Sequence, residues 1–185
     1  RDWESKYGCK ITIVQSDVSQ VTSVKQLMST IEETCLPLRG VFHLAGVVAD
    51  GMLASQNEEM FAQVFLPKAL GAKHLHDALQ EQHITVDYFV MFSSIAAVMG
   101  GIGQANYAAA NAYMEAIAFY RDSIGLSAQT IHSGAWAGGG TQDNLDRIYH
   151  ERASAMGLSQ MPLKDAFNAL DIIFQAKLNM ASIVK

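Results

Sequence analysis

The stretch FSSIAAVMGGIGQANYAAANAY, residues 92–113, decides how this chain is read. It ends an apolar run in two serines, passes through Gly100, Gly101 and Gly103, and enters an alanine-rich segment carrying Tyr107 and Asn111. Alanine favours helix, and residues four apart share a helical face, so the phenol and the carboxamide look at one region of space. The run before the turn, YFVMFSS (88–94), has the continuous apolar character of a strand buried on both faces. Strand, glycine-rich turn and helix in that order are one half of a βαβ unit. Ligands of open parallel sheets bind beyond the carboxyl ends of the strands, where Ser94 sits in this reading.

The same alternation extends outward. Strands are expected at ITIVQSD (11–17), GVFHLAG (40–46) and AQTIHSGAW (128–136), with a last short one starting in ASIVK (181–185). Helices are expected at about 22–35, 58–82, 104–123, 143–156 and 163–177. Ser19 or Thr22 can cap the first, Gln56 or Asn57 the second, and Gly125 can end the third in a left-handed residue. Pro67 lies inside the second pattern, so that helix should kink or restart there. The expected fold is α/β, a Rossmann-like doubly wound parallel sheet with helices on both faces, in a single domain spanning 1–185. Such sheets normally open with a glycine-rich turn that holds a pyrophosphate, yet no GxGxxG occurs before residue 40. Either the fold is not a dinucleotide-binding one, or the chain begins partway through it, lacking the first βαβ unit.

Of the 185 residues, 50% are hydrophobic and 17% charged, which excludes a disordered or fibrous chain. The net charge of −5, without a basic cluster longer than a dipeptide, argues against a nucleic-acid partner. No apolar segment has the length of a membrane span, and RDWESKYGCK (1–10) has no signal-peptide pattern, so a cytoplasmic protein is expected. Cys9 and Cys35 lack any ligand spacing and read as reduced thiols, and scattered histidines give no metal site.

Ser94, Tyr107 and Asn111 suit one kind of chemistry. A phenol with an ordinary pKa near 10 can give up its proton near neutrality only beside a cation or a hydrogen-bond network. Lys68 is the natural cation, with Lys73 as rival. Such a set would reduce a ketone: Ser94 holds the carbonyl, Tyr107 protonates its oxygen, Lys68 lowers the phenol pKa and Asn111 orients the lysine or a water. Taken singly, each residue has a plainer reading, as a turn hydroxyl, a half-buried aromatic, a surface amide or a solvated lysine.

At these residues the chain resembles the ketoreductase domains of type I polyketide and fatty acid synthases, in the extended short-chain dehydrogenase/reductase superfamily. The serine, the tyrosine thirteen later and the asparagine four after that are similar to that family's motif, as is Lys68 in LPKALGAKHLH. The likeness continues through VFHLAGVVADGML and QSDVSQ. By resemblance, Asp17 and Val18 would meet the adenine end of NADPH, Ala45 and Gly46 would line the cofactor, and Gly134, Ala135 and Trp136 of HSGAWA would border it. Family members usually read NWGAWA there, so Ser133 stands in place of a tryptophan. Asp50 and Met99 fall at positions facing substrate. The acid at 50 and Asn106 are similar to B-type members, while Ile102 replaces their proline and Met99 the tryptophan of the other type.

The resemblance implies an NADPH-dependent β-ketoacyl reductase, working on a thioester carried by an acyl carrier protein among neighbouring synthase domains. The family's glycine-rich turn would precede Arg1, so the chain is expected to be an N-terminally truncated fragment of a multidomain synthase. A non-catalytic structural half-domain is the alternative, and an unrelated Rossmann-like methyltransferase is disfavoured for want of a glycine loop after the first strand. The helix at 143–156, after AGGGTQD, is expected to act as a lid over the substrate.

Overall fold

A computed structural model describes residues 2–34, 37–137, 154–155, 157–176 and 178–185. Four strands, β1 (Gly40–His43), β2 (Tyr88–Ser94), β3 (Gln129–Ser133) and β4 (Met180–Ile183), form one sheet in the order β1-β2-β3-β4. All three pairings are parallel, with Phe42 opposite Val90, Phe92 opposite Ile131 and Ile131 opposite Ala181. The described α-helices are α1 (Asp2–Tyr7), α2 (Val21–Thr34), α3 (Glu58–Phe65), α4 (Gly71–Glu81), α5 (Ala96–Met99), α6 (Ala105–Ser123) and α7 (Leu163–Ala176), with a short 3-10 turn at Leu53–Ser55.

Because side chains alternate along a strand, β2 feeds two cores. Phe89 and Met91 pack with Val24 and Met28 of α2, Leu75 and Leu79 of α4, and Met114 and Ile117 of α6. Val90 points the other way, joining Ile131, Ile183, and Leu170 and Ile173 of α7. Helices therefore cover both faces, as doubly wound sheets require. Each fully buried side chain of this size stabilises the fold by about 1.5–3 kcal/mol.

Local chemistry sets the boundaries. Asn57 caps α3, its side chain accepting the Met60 N–H at 2.9 Å. Gly125, at φ 75°, ends α6 in the left-handed region. The second expected helix is three pieces: α3 stops at Phe65, a π-helical turn spans Leu66–Leu70, and α4 resumes at Gly71. Pro67 has no N–H to give to a regular helical ladder, and the wider turn accommodates it.

One expected strand does not form. Residues 11–17 form no regular element and stand outside the sheet, with Ile13 93% exposed. An apolar run becomes a strand only when a neighbouring strand takes its backbone donors and acceptors, whereas here the Ile11 and Asp17 N–H groups are taken by the side chains of Glu4 and Ser23. The charged start forms the short helix α1, which the apolar pattern does not announce. The expected helix and lid at 143–156 lie outside the described residues, save residues 154 and 155, and so does Cys35.

Candidate active site

The π-helical turn puts Lys68 where no regular helix would. Its side chain is 5% exposed and crosses the carboxyl end of the sheet, with Nζ donating to the Phe92 carbonyl at 3.0 Å. That acceptor lies two residues before Ser94. Nζ also stands 5.2 Å from the centroid of the Tyr107 ring. Burial holds the Lys68 pKa well below its ordinary 10.5, at about 8. The rival, Lys73, is on the surface in an ion pair with Asp77, one turn along α4.

Tyr107 and Asn111 occupy one face of α6, as their spacing predicts. Asn111 is fully buried and donates through Nδ2 to the Tyr107 carbonyl at 2.8 Å, while its Oδ1 has no hydrogen-bond partner. Ser94 ends β2, with Oγ accepting the Ala96 N–H at 3.2 Å. Lys68, Tyr107 and the end of β2 thus converge, with Asn111 one turn behind the tyrosine.

The loop 49–56 is laced to the start of α6. Asn106 donates to the carbonyls of Ala49 and Met60, and Gln56 donates to those of Gly51 and Gly103 and to Asn106 Oδ1. Gly51 N–H meets the Gly103 carbonyl at 2.9 Å. Gly103 adopts φ 79°, and a Cβ there would face the Gly51 backbone at 3.5 Å, so glycine is the fitting residue. Asp50 is held at 3.2 Å by Gln104 Nε2. Met99, which ends α5 just before the glycine turn, is exposed.

Among the other expected cofactor residues, Ala45 and Gly46 follow the end of β1. A Cβ on Gly46 would lie 3.0 Å from Cε and Cγ of Lys68, so this glycine gives the lysine stem its channel. Hydrogen bonds from the Ser19 side chain and, at 2.9 Å, from the Ser19 N–H lower the Asp17 carboxyl pKa. Val18 packs on Gly71, and its carbonyl takes an N–H from His74 at 3.0 Å. Gly134 and Ala135 continue β3. Trp136 lies on the α7 side, edge-on to Phe92 and Phe167, with its indole N–H buried and unpartnered.

A family model described as KR domain matches residues 1–138. The chain belongs to the KR domain family. It is 39% identical over 167 residues to the spectinabilin polyketide synthase system protein NorB of Streptomyces orinoci, covering 90% of this chain and 8% of that protein. Phthioceranic/hydroxyphthioceranic acid synthase of Mycobacterium tuberculosis is 40% identical over 130 residues, or 70% of this chain and 6% of that synthase. Among solved structures, A-type ketoreductases from a modular polyketide synthase superpose with a TM-score of 0.89 at 34% identity, over 97% of this chain and 37% of theirs. The chain therefore spans under a tenth of these synthases. The Rossmann-like fold and the ketoreductase resemblance of the sequence are both borne out.

Several residues that organise the site are not evident from the sequence. His43 donates from Nε2 to the Lys68 carbonyl at 2.8 Å. Glu115, one turn beyond Asn111, accepts from Ser93 Oγ at 3.1 Å and lies 2.9 Å from His132 Nε2 without hydrogen-bond alignment. Gln56 reads in the sequence only as an alternative helix cap, and Gln104 only as the start of a helix. The available signal was a histidine in the otherwise apolar GVFHLAG, since buried polar groups are kept only where they are hydrogen-bonded.

Proposed function

We propose that this chain carries the catalytic part of a ketoreductase that reduces a β-ketoacyl thioester, borne on an acyl carrier protein, to the β-hydroxyacyl form in polyketide biosynthesis. The observation that supports this best is the Lys68 ammonium, held between the Phe92 carbonyl and the face of Tyr107. A cation so placed favours the phenolate and therefore lets Tyr107 give up its proton near neutral pH. Ser94 hydrogen-bonds the ketone oxygen, and that oxygen takes the Tyr107 proton as its carbon gains hydride. Tyr107 then regains a proton from solvent.

The residues fit a reduced nicotinamide cofactor. Asn111 has a buried carboxamide oxygen without a partner, and Phe92 takes one of the three N–H donors of Lys68, so polar capacity remains beside Tyr107. Ala45, Gly46, Gly134, Ala135 and Trp136 would border the nicotinamide half, and Asp17 and Val18 would meet the adenine end. When bound, NADPH supplies the hydride; the choice over NADH rests on the family. Asp50, fixed by Gln104, is the basis for assigning B-type facial selectivity, with Met99 touching substrate.

The test is NADPH oxidation with a β-ketoacyl thioester, using the chain supplied with the N-terminal region of a family member. Turnover is expected to fall about 10²–10⁴-fold in Tyr107→Phe. Undiminished turnover in that variant would remove the proton-donor role. Absence of turnover from the folded wild-type assembly would favour the non-catalytic structural half-domain.

A further inference from the structure

His43 closes β1 and is 3% exposed. Its Nε2 lies 2.8 Å from the Lys68 carbonyl oxygen. A carbonyl can only accept, so Nε2 carries the proton and the imidazole is the Nε2–H tautomer. Burial and the nearby Lys68 ammonium both disfavour a second proton on this ring, against the hydrogen bond to the carbonyl, so the neutral form is favoured.

The bond falls inside the π-helical turn. There the Gly71 N–H reaches both the Leu66 carbonyl, five residues back, and the Lys68 carbonyl, three back. Lys68 O therefore serves two donors, one from its own turn and one from β1. A regular helix would give that carbonyl to the residue four along and rotate the side chain away. Gly71 makes room for the ring, because a Cβ there would stand 3.2 Å from His43 Cε1 and 2.8 Å from Val18 Cγ2. The lysine is thus gripped along its whole length: His43 at its carbonyl, Gly46 along its stem and Phe92 at its ammonium.

We propose that His43 is a positioning residue, which holds the Lys68 carbonyl through its Nε2–H and so sets the π-helical turn that aims Lys68 at Tyr107. Its consequence for turnover rests on the reductase reading; the grip on Lys68 does not. The charged or titratable groups concerned are Lys68 on the turn and Tyr107 on α6 facing it.

The test follows Lys68 directly, by NMR of protein carrying isotope-labelled lysine ε-carbons, with the signal assigned from Lys68→Arg. In the wild type this ammonium should titrate at about 8. In His43→Leu the turn loosens, the ammonium gains water, and its titration should move up by about 1–2 pH units. His43→Gln, which keeps an N–H donor, should restore most of the wild-type value. In the NADPH assay His43→Leu should lower kcat about tenfold or more with little change in KM, and displace the pH profile in step with the NMR titration. A folded His43→Leu with Lys68 titrating as in the wild type would overturn the proposal. Should that variant not fold, the wild-type ring decides: proton–nitrogen correlation spectra showing the Nδ1–H tautomer would overturn it, and a hydrogen-bonded Nε2–H would support it. Absence of turnover from the folded wild-type assembly would sink the reductase reading, while the Lys68 titration would still test the grip of His43 independently.

Discussion

Replacing Lys68 by methionine should make this protein more stable at neutral pH while disabling the site. The folded lysine titrates at about 8 against an ordinary 10.5, so keeping it charged costs the folded state about 3 kcal/mol, at roughly 1.4 kcal/mol per pH unit. Methionine fills much the same volume without a charge. Against this stands the ammonium hydrogen bond to Phe92, for which about 1–2 kcal/mol is subtracted. The net expectation is a gain of about 1–2 kcal/mol near pH 7. Its pH dependence is the sharper test. Lowering a lysine pKa on folding means that the unfolded chain binds more protons between about 8 and 10.5, so wild-type stability rises with pH across that window. The advantage of Lys68→Met should therefore shrink through that window and reverse at its upper end. Urea unfolding of both proteins at several pH values reads this out. A stability difference that stays constant from about pH 7 to 10.5, or a variant less stable at neutrality, would refute the reasoning.

Two other expectations concern packing. Gly71→Ala would put a methyl group 2.8 Å from Val18 Cγ2 and 3.2 Å from His43 Cε1, and should cost about 1–3 kcal/mol in urea unfolding; an unchanged midpoint would count against so tight a contact. Arg121, 2% exposed, donates to His76 Nδ1 at 2.8 Å and to the Ser127 carbonyl, with its guanidinium 4.0 Å from the centre of the Phe89 ring. His76 must therefore be a neutral acceptor, and burial together with Arg121 holds its pKa below the ordinary 6.5. Its contribution is fully present above that value and is lost as pH falls below it, so acid should destabilise the wild type more than His76→Gln. Parallel acid limbs would contradict this.

Strand β2, the glycine turn and α6 were legible because everything that decides them is local: an apolar run, residues that tolerate left-handed backbone, and alanines in sequence. Tyr107 and Asn111 could be paired from helical spacing alone. Asn57 and Gly125 were legible as caps for the same reason. Residues 11–17 misled because a strand is a property of two segments, and their apolar character says nothing about a partner. Pro67 announced a break without saying that the chain would widen into a π turn, since that depends on His43, 25 residues upstream of Lys68. The tie between Gln104 and Asp50 spans 54 residues and leaves no periodic trace. Long-range hydrogen bonds of this kind hold the site together, and each is made by a residue type equally common on surfaces.

The π-helical turn at Leu66–Leu70 also makes the site sensitive to chain length in a way that side-chain identity does not capture. A π turn holds one residue more than an α turn of the same reach, so α3 and α4 are out of phase by about 100° compared with a continuous helix. Removing one residue between Glu58 and Gly71 would let the two fuse into a regular cylinder. Either Lys68 would then swing out of line with Tyr107, or Leu75 and Leu79 would leave the core. Substitutions at the partly exposed Leu66 can be absorbed, whereas a single deletion beside it forces the fold to choose between its interior and its lysine.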